Sequence, residues 1–226
     1  MQQVDGRNVA TNVLDKKLQH FRLIKTLYPH FYHKRGRENE PVYYEKPGRM
    51  QLSELRARGV DLDDLVESYA FMTEFLWQVV EKSDAKCRSI SVIDVDGLGL
   101  FSFNAEAMEY LRQVSTYSKT HHPNRCGHIF IVNVPSWFDA VWQMIQTLVD
   151  PGVRKKITIV KADDVLEALS TRIPVENIPV EYGGKSEGPS DEELALCALA
   201  DYNNGVPGSV DPCTTERYSR KVLVSQ

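Results

Sequence analysis

Hydrophobic and polar positions in the first 82 residues predict two helices and one short strand. Apolar residues recur at three- and four-residue steps over residues 12–27 and, most regularly, over 61–82, which indicates helices. Between them, residues 30–40 are polar and predict a loop. Residues 41–45 (PVYYE) predict a strand that ends before a Pro-Gly turn.

Strands and helices alternate from about residue 88 to residue 171. Strands are predicted at 89–95, 129–132 and 156–160, and the continuous apolar run at 129–132 is typical of a strand buried on both faces. Helices are predicted at 104–118, 136–149 and 163–169. This alternation is typical of βαβ units, so the sequence predicts an α/β fold with a mostly parallel β-sheet.

The predicted helix at 136–149 has apolar residues on two faces. One row consists of Trp137, Val141, Met144 and Leu148, and the other of Phe138, Trp142, Ile145 and Val149. Such a helix is either buried in the core, or has one face on a ligand cavity and the other near a membrane interface, where tryptophan is favoured. The pattern leaves both interpretations open.

Hydroxyl side chains occur in otherwise apolar settings. They are Tyr32, Tyr43, Tyr69, Ser89 and Ser91. They are either ordinary packing residues with a hydroxyl at the surface, or the polar anchors of an apolar pocket. A basic run, 154–156, follows the two-sided helix and is by itself more typical of a solvated loop than of an anion site.

Composition excludes several classes of protein. The 226 residues are 42% hydrophobic and carry a net charge of -4, which argues against nucleic acid as the main partner. No segment has the length and apolarity of a membrane span, and the N-terminus lacks the features of a secretory signal, so we expect a cytosolic protein with reduced thiols. The four cysteines are far apart and the histidine pairs lack suitable acidic neighbours, so we expect no metal and no cofactor.

An enzyme motif is present but incomplete. Gly184–Gly188 matches the G-x-S-x-G pattern of α/β-hydrolases, with Ser186 as the nucleophile. That mechanism needs a histidine later in the chain, and the last histidine is His128. We therefore expect a glycine-rich turn and no enzymatic activity.

The chain resembles the CRAL-TRIO lipid-binding family, most closely yeast-type phosphatidylinositol/phosphatidylcholine transfer proteins, in five segments between about residues 26 and 188. They are TLYPHFYHKRGRENEPVYYEKPGRM, SISVIDVDGLGL, MEYLRQVSTYSKTHHPNRCGHIFIVNVP, LVDPGVRKKITIV and IPVENIPVEYGGKSE. The resemblance implies a mostly parallel sheet floored by helices, which encloses an apolar pocket for one lipid. It also implies a gate helix at 136–149. The gate and cavity residues are then Trp137, Phe138, Val141, Trp142 and Ile145.

The resemblance also implies roles for individual residues. In phosphatidylcholine-binding members, hydroxyl side chains hold the choline headgroup, and the matching positions are Tyr32, Tyr43, Tyr69, Ser89 and Ser91. Lys156 matches the lysine that holds inositol in phosphatidylinositol binders. Arg125 matches the basic member of a Glu-Arg pair in the family, but the position of its glutamate is occupied by Asn124. A threonine that the family has near the lysine is replaced by Val153.

The expected organisation is an N-terminal helical segment at 1–25, a lipid-binding domain at 26–201 and a polar tail at 202–226. Most of the family's N-terminal helical subdomain is expected to be missing. The expected function is to bind one phospholipid, phosphatidylcholine with phosphatidylinositol as a second ligand, and to exchange it between membranes. Such a protein would be cytoplasmic and touch membranes transiently. The alternatives are a binder of another hydrophobic ligand, such as a tocopherol or retinoid, and a lipid-ester hydrolase that uses Ser186.

Overall fold

The computed structural model describes residues 13–99 and 104–220. Its helices are α1 (Phe21–Leu27), α2 (Leu52–Ala57), α3 (Leu62–Phe75), α4 (Ala105–His121), α5 (Phe138–Ile145), α6 (Pro151–Arg154), α7 (Val165–Ser170) and α8 (Asp191–Asn203). Its strands are β1 (His30–Arg35), β2 (Pro41–Glu45), β3 (Ser89–Asp94), β4 (Cys126–Val132) and β5 (Ile157–Ile159). None of the described helices is both long enough and apolar enough to cross a bilayer.

The strands form one five-stranded sheet in the order β1-β2-β3-β4-β5. β1 and β2 are antiparallel, and every later pairing is parallel. Helix α4 connects β3 to β4, and α5 and α6 connect β4 to β5, as the alternating pattern predicts. The α/β fold class with a mostly parallel sheet is confirmed.

One face of the sheet carries a buried core cluster. Alternate strand residues form a buried cluster with α7 and the segment that follows it. The strand members of this cluster are Val42, Tyr44, Ile90, Val92, Phe130 and Val132, and Leu169, Ile173, Ile178 and Tyr182 cover them. The cluster is the principal core of the sheet.

Helix α3 is buried on more than one side because two separate parts of the chain cover it. It begins with a capping box between Asp61 and Asp64. Beyond Phe75 it continues as a π-helical turn at Leu76–Val80. Its apolar residues form a core cluster with the buried side of α8 and with the segment that precedes α1. The wide apolar face, including Phe71 and Trp77, therefore belongs to the protein core.

Helix α8 and the residues after it pack against the first described residues. The Asn203 amide donates to the backbone oxygen of Leu14 at 2.8 Å. Arg22 and Asp201 form an ion pair at 2.5 Å, and Arg220 pairs with Asp15. The beginning and the end of the described chain thus complete one cluster together.

Several predictions of local structure are wrong. Residues 30–35 form strand β1, where a loop was predicted, because they pair with β2. Of the helix predicted at 12–27, the described residues 14–20 are not helical and the helix covers Phe21–Leu27. The helix predicted at 136–149 covers only Phe138–Ile145 before turns begin. Helix α8 is not predicted. In the tail, a 3-10 turn at Pro212–Thr214 is followed by Tyr218, which packs on the α3 cluster.

Candidate functional site

The second face of the sheet is apolar but incompletely covered. Ser91, Ile93, Ile129, Ile157 and Ile159 are only partly buried, whereas the core residues between them on the opposite face are almost inaccessible. The strand register places Ile129 beside Ser91 and Ile157, and Ile131 beside Ile93 and Ile159. These side chains form a continuous floor of the kind that apolar ligands occupy.

Helix α5 covers one part of this floor. Phe138 is buried in a cluster with Ile131 and Val95, and Trp137 and Trp142 pack around it while remaining partly exposed. Val141 is also buried, Ile145 is partly buried, and Met144 on the outer side is 47% exposed. The helix therefore has apolar residues both toward the floor and toward solvent. The five predicted gate and cavity residues lie on or beside one helix over the sheet.

Helix α4 is attached to α3 largely by polar contacts. No residue of α4 is fully buried, in contrast to α3. The Tyr69 and Ser118 hydroxyls lie 2.6 Å apart. The Tyr117 hydroxyl donates to the Glu74 carboxylate at 2.6 Å, and His122 Nε2 lies 2.8 Å from the same oxygen. Helix α4 is thus held against α3 by hydrogen bonds more than by apolar packing.

The structure brings most of the predicted hydroxyl residues together. The rings of Tyr32 and Tyr43 lie 5.4 Å apart, and the sheet register places Tyr43 directly beside Ser91. The Tyr32 hydroxyl donates to the backbone oxygen of Met72 at 3.2 Å. Burial raises the pKa of Tyr32, Tyr43 and Tyr69, so all three are neutral hydroxyls at pH 7. Ser89 lies two residues before Ser91, at the beginning of β3.

Four further polar residues join this group and are not predicted from the sequence. They are Tyr28, Glu45, Tyr110 and Ser118. The Tyr28 hydroxyl donates to the Glu45 carboxylate, and Tyr110 packs against the cluster that contains Tyr28. Period-two spacing in β2 places Glu45 on the same side as Tyr43, which is the one sequence signal that could have identified it.

The two predicted basic residues lie where β4 and β5 begin. Lys156 is partly buried, and its ammonium donates to the backbone oxygen of Cys126 at 2.7 Å. The Arg125 guanidinium donates to the backbone oxygens of Asp84 and Cys87 and lies 4.5 Å from the centre of the Trp77 ring. These contacts hold the loop before β3, so Arg125 has a structural role in this arrangement.

Ser186 lies in a turn. Its backbone N–H donates to Ile178 at 2.9 Å, and its side chain is 7% exposed. A Cβ on Gly184 would come within 2.0 Å of the Ile178 oxygen, so this tight turn requires glycine. No histidine of residues 13–99 or 104–220 hydrogen-bonds the Ser186 hydroxyl, and the same residues contain no group of side chains suited to a metal ion.

Comparison with known proteins identifies the same region of the chain. The family model of the CRAL/TRIO domain matches residues 25–184. The chain is 29% identical over 171 residues to the SEC14 cytosolic factor of Eremothecium gossypii, covering 73% of this chain and 54% of that protein. It is 26% identical over 198 residues to the phosphatidylinositol/phosphatidylcholine transfer protein SFH7 of Arabidopsis thaliana, covering 85% of this chain and 34% of that one.

A solved structure shares the fold. The crystal structure of Sfh5 superposes with a TM-score of 0.62 at 16% sequence identity, covering 81% of this chain and 68% of that chain. The chain spans about half the length of the Eremothecium protein and about a third of the Arabidopsis protein.

Proposed function

Because the chain belongs to the CRAL/TRIO domain family, we propose that it binds one phospholipid against the partly exposed face of its sheet and exchanges it between membranes. The observation that carries this proposal is the apolar floor around Ile93, Ile129 and Ile157, which is less buried than the opposite face and lies beneath α5. A protein surface of this kind is stabilised by an apolar ligand, since each buried CH₂ group contributes about 0.8 kcal/mol.

We propose phosphatidylcholine as the principal ligand. The Arabidopsis relative is named for phosphatidylinositol and phosphatidylcholine transfer. Here the support comes from the neutral hydroxyls of Tyr32, Tyr43 and Tyr69 near Ser91, which can donate to a phosphate. The tyrosine rings can hold a quaternary ammonium by cation–π attraction.

We propose phosphatidylinositol as a second ligand, bound through Lys156. The Lys156 ammonium has only a backbone oxygen as its hydrogen-bond acceptor among the described residues, so it keeps donors available for an anionic or hydroxyl-rich headgroup. Arg125 would support the site through the loop that it holds.

Helix α5 is the proposed gate. Its inner residues cover the floor, and its outer Met144 and partly exposed Trp142 can enter a bilayer interface when the helix moves aside. The protein would then act from the cytoplasm as a peripheral membrane protein, in keeping with relatives that are named cytosolic factors. No catalytic residue is assigned.

Native mass spectrometry of the protein after incubation with mixed vesicles tests this function. We expect one phospholipid per chain, with phosphatidylcholine predominant. A chain that stays empty, or that takes up tocopherol or retinoid in preference to phospholipid, would contradict the proposal.

The headgroup residues are tested with the double variant Tyr69→Phe, Ser89→Ala. We expect it to slow phosphatidylcholine transfer about tenfold, which corresponds to the loss of roughly 1.4 kcal/mol of hydrogen bonding to the lipid. The lost bond to Ser118 should lower the melting temperature by only about 2–4 °C. The matched control is Tyr202→Phe, Ser83→Ala, which removes the same atoms from exposed positions. Equal transfer by the two variants would remove Tyr69 and Ser89 from the site.

A further inference from the structure

Glu45 is a carboxylate on the floor side of β2. It is the last residue of β2, two positions after Tyr43, and is paired in the sheet with Ile93 of β3. Its one hydrogen-bond donor among the described side chains is the Tyr28 hydroxyl, and Tyr28 is itself only 3% exposed. A carboxylate in such a position is costly unless a positive charge accompanies it.

No positive charge of the protein accompanies Glu45 within the described residues. No lysine or arginine there lies within ion-pair distance of it. The nearest basic ring is that of His30, which is opposite Glu45 in the β1–β2 pairing. Burial and the charge of Lys25 lower the pKa of His30, so its ring is neutral at pH 7. Lys25 itself pairs with Glu193 at 2.6 Å.

Aromatic rings surround the carboxylate instead. Tyr28 contacts it directly, and Tyr110 packs against the cluster that contains Tyr28. An ionised Glu45 raises the pKa of Tyr43, Tyr110 and Tyr69, in each case by less than burial does. For Tyr69, the bond to Ser118 acts in the opposite direction and lowers the pKa. Burial raises the pKa of Glu45. The site therefore combines tyrosine rings with a carboxyl group that pairs with no cation of residues 13–99 and 104–220, and a bound cation would favour its ionised form.

We infer that Glu45 provides the counter-charge for the quaternary ammonium of a choline headgroup and so selects phosphatidylcholine over phospholipids without a cationic headgroup. The inference rests on the proposed function, because it needs a phospholipid in the pocket. It goes beyond that function by naming Glu45 as a residue that determines which lipid headgroup is bound. A choline headgroup neutralises Glu45, whereas an anionic headgroup such as phosphatidylglycerol leaves it unpaired and adds repulsion.

The test is competition between lipids that differ only in headgroup. The protein is incubated with vesicles that contain equal amounts of phosphatidylcholine and phosphatidylglycerol with the same acyl chains, and bound lipid is counted by native mass spectrometry. We expect Glu45→Gln to lower the ratio of bound phosphatidylcholine to phosphatidylglycerol about tenfold. Total lipid loading should stay close to that of the wild type. The control Glu54→Gln, an exposed residue paired with Arg58, should keep the wild-type ratio.

A second measurement needs no variant. Wild-type protein is offered phosphatidylcholine together with its 3,3-dimethylbutyl analogue, in which carbon replaces the charged nitrogen. We expect about tenfold preference for the charged lipid. Equal binding of the two lipids, or an unchanged lipid ratio in folded Glu45→Gln, would overturn the role of Glu45. Wild-type protein that binds no phospholipid at all would instead refute the proposed function, so the two failures are distinguishable.

Discussion

Glu74 joins helices α3 and α4, and we expect its replacement by glutamine to destabilise the protein. The side chain is 1% exposed. One carboxylate oxygen accepts from Tyr117 at 2.6 Å and lies 2.8 Å from His122, and the other accepts from Gln78 at 2.6 Å. Glu74→Gln keeps the shape of the side chain and removes its charge, and it leaves one neutral amide oxygen to accept from Tyr117 and His122.

The expected loss follows from these three contacts. Hydrogen bonds to a charged group contribute about 1.5–3 kcal/mol and neutral ones about 1 kcal/mol, so the bonds from Tyr117 and His122 lose about 1 kcal/mol each. The Gln78 amide can turn so that its oxygen accepts from the new NH₂ group, so that contact costs little. The sum is about 2 kcal/mol, which for a chain of this length corresponds to a fall of roughly 4–8 °C in melting temperature.

The loss should depend on pH. Burial opposes ionisation of Glu74, but hydrogen bonds from His122 and Tyr117 outweigh it, and the pKa is lowered from its ordinary value of 4.5. A carboxyl with a lowered pKa in the folded state stabilises the protein above its unfolded pKa, and this stabilisation is lost as pH falls through the folded value. Wild type and Glu74→Gln should therefore differ fully at pH 7 and progressively less below about pH 4.5.

Urea unfolding followed by circular dichroism at pH 7 and pH 3.5 measures both effects. The exposed control Glu54→Gln should lose less than ~0.5 kcal/mol, as is usual for surface pairs. A Glu74→Gln variant that is as stable as this control at pH 7 would refute the assignment of Glu74 as the link between α3 and α4. A difference that stays the same at pH 3.5 would refute its ionised state.

Two further predictions concern the proposed lipid site. Lys156→Ala should lower phosphatidylinositol transfer about tenfold and leave phosphatidylcholine transfer within about twofold, because a charge-assisted bond is lost from one headgroup only. The matched control is Lys155→Ala, at an exposed position. A wild-type protein that transfers no phosphatidylinositol would already contradict the role of Lys156. Trp142→Ala should slow transfer of both lipids in a vesicle assay while the melting temperature changes little, because Trp142 is only partly buried on the proposed gate. The control is Leu194→Ala, which changes an exposed leucine on α8. An equal loss of transfer in this control would show that the effect is not specific to α5.

Local patterns predict the parallel part of the fold well and its first strand poorly. The apolar run Ile129–Val132 and the periodicity of 61–82 arise within single elements, so they are visible in the sequence. β1 contains two histidines, a lysine and an arginine, and it becomes a strand because its partner β2 stacks Tyr44 on Phe31 at 5.4 Å. That contact joins two separate strands, so it cannot be predicted from the spacing of apolar residues within either one.

The hydroxyl residues of the candidate site are predicted from resemblance, whereas the carboxylate among them is not. Tyr43 and Ser91 occur in quoted family segments, and the register of β2 with β3 brings them side by side. Glu45, Tyr28 and Tyr110 come together only when β2, the residue after α1 and helix α4 are assembled. Side chains that are 17 and 65 residues apart in the chain give no common spacing from which such a contact follows.

The contact between the two ends of the described chain has a consequence for synthesis. Leu14, Leu18 and Phe21 are buried in a cluster whose α8 members lie about 180 residues later. A ribosome that adds roughly 5–20 residues per second makes those partners about 10–30 s after the first segment has been made. During that interval Leu14, Leu18 and Phe21 have no native neighbours from α8, so this cluster can be completed only after α8 has been made.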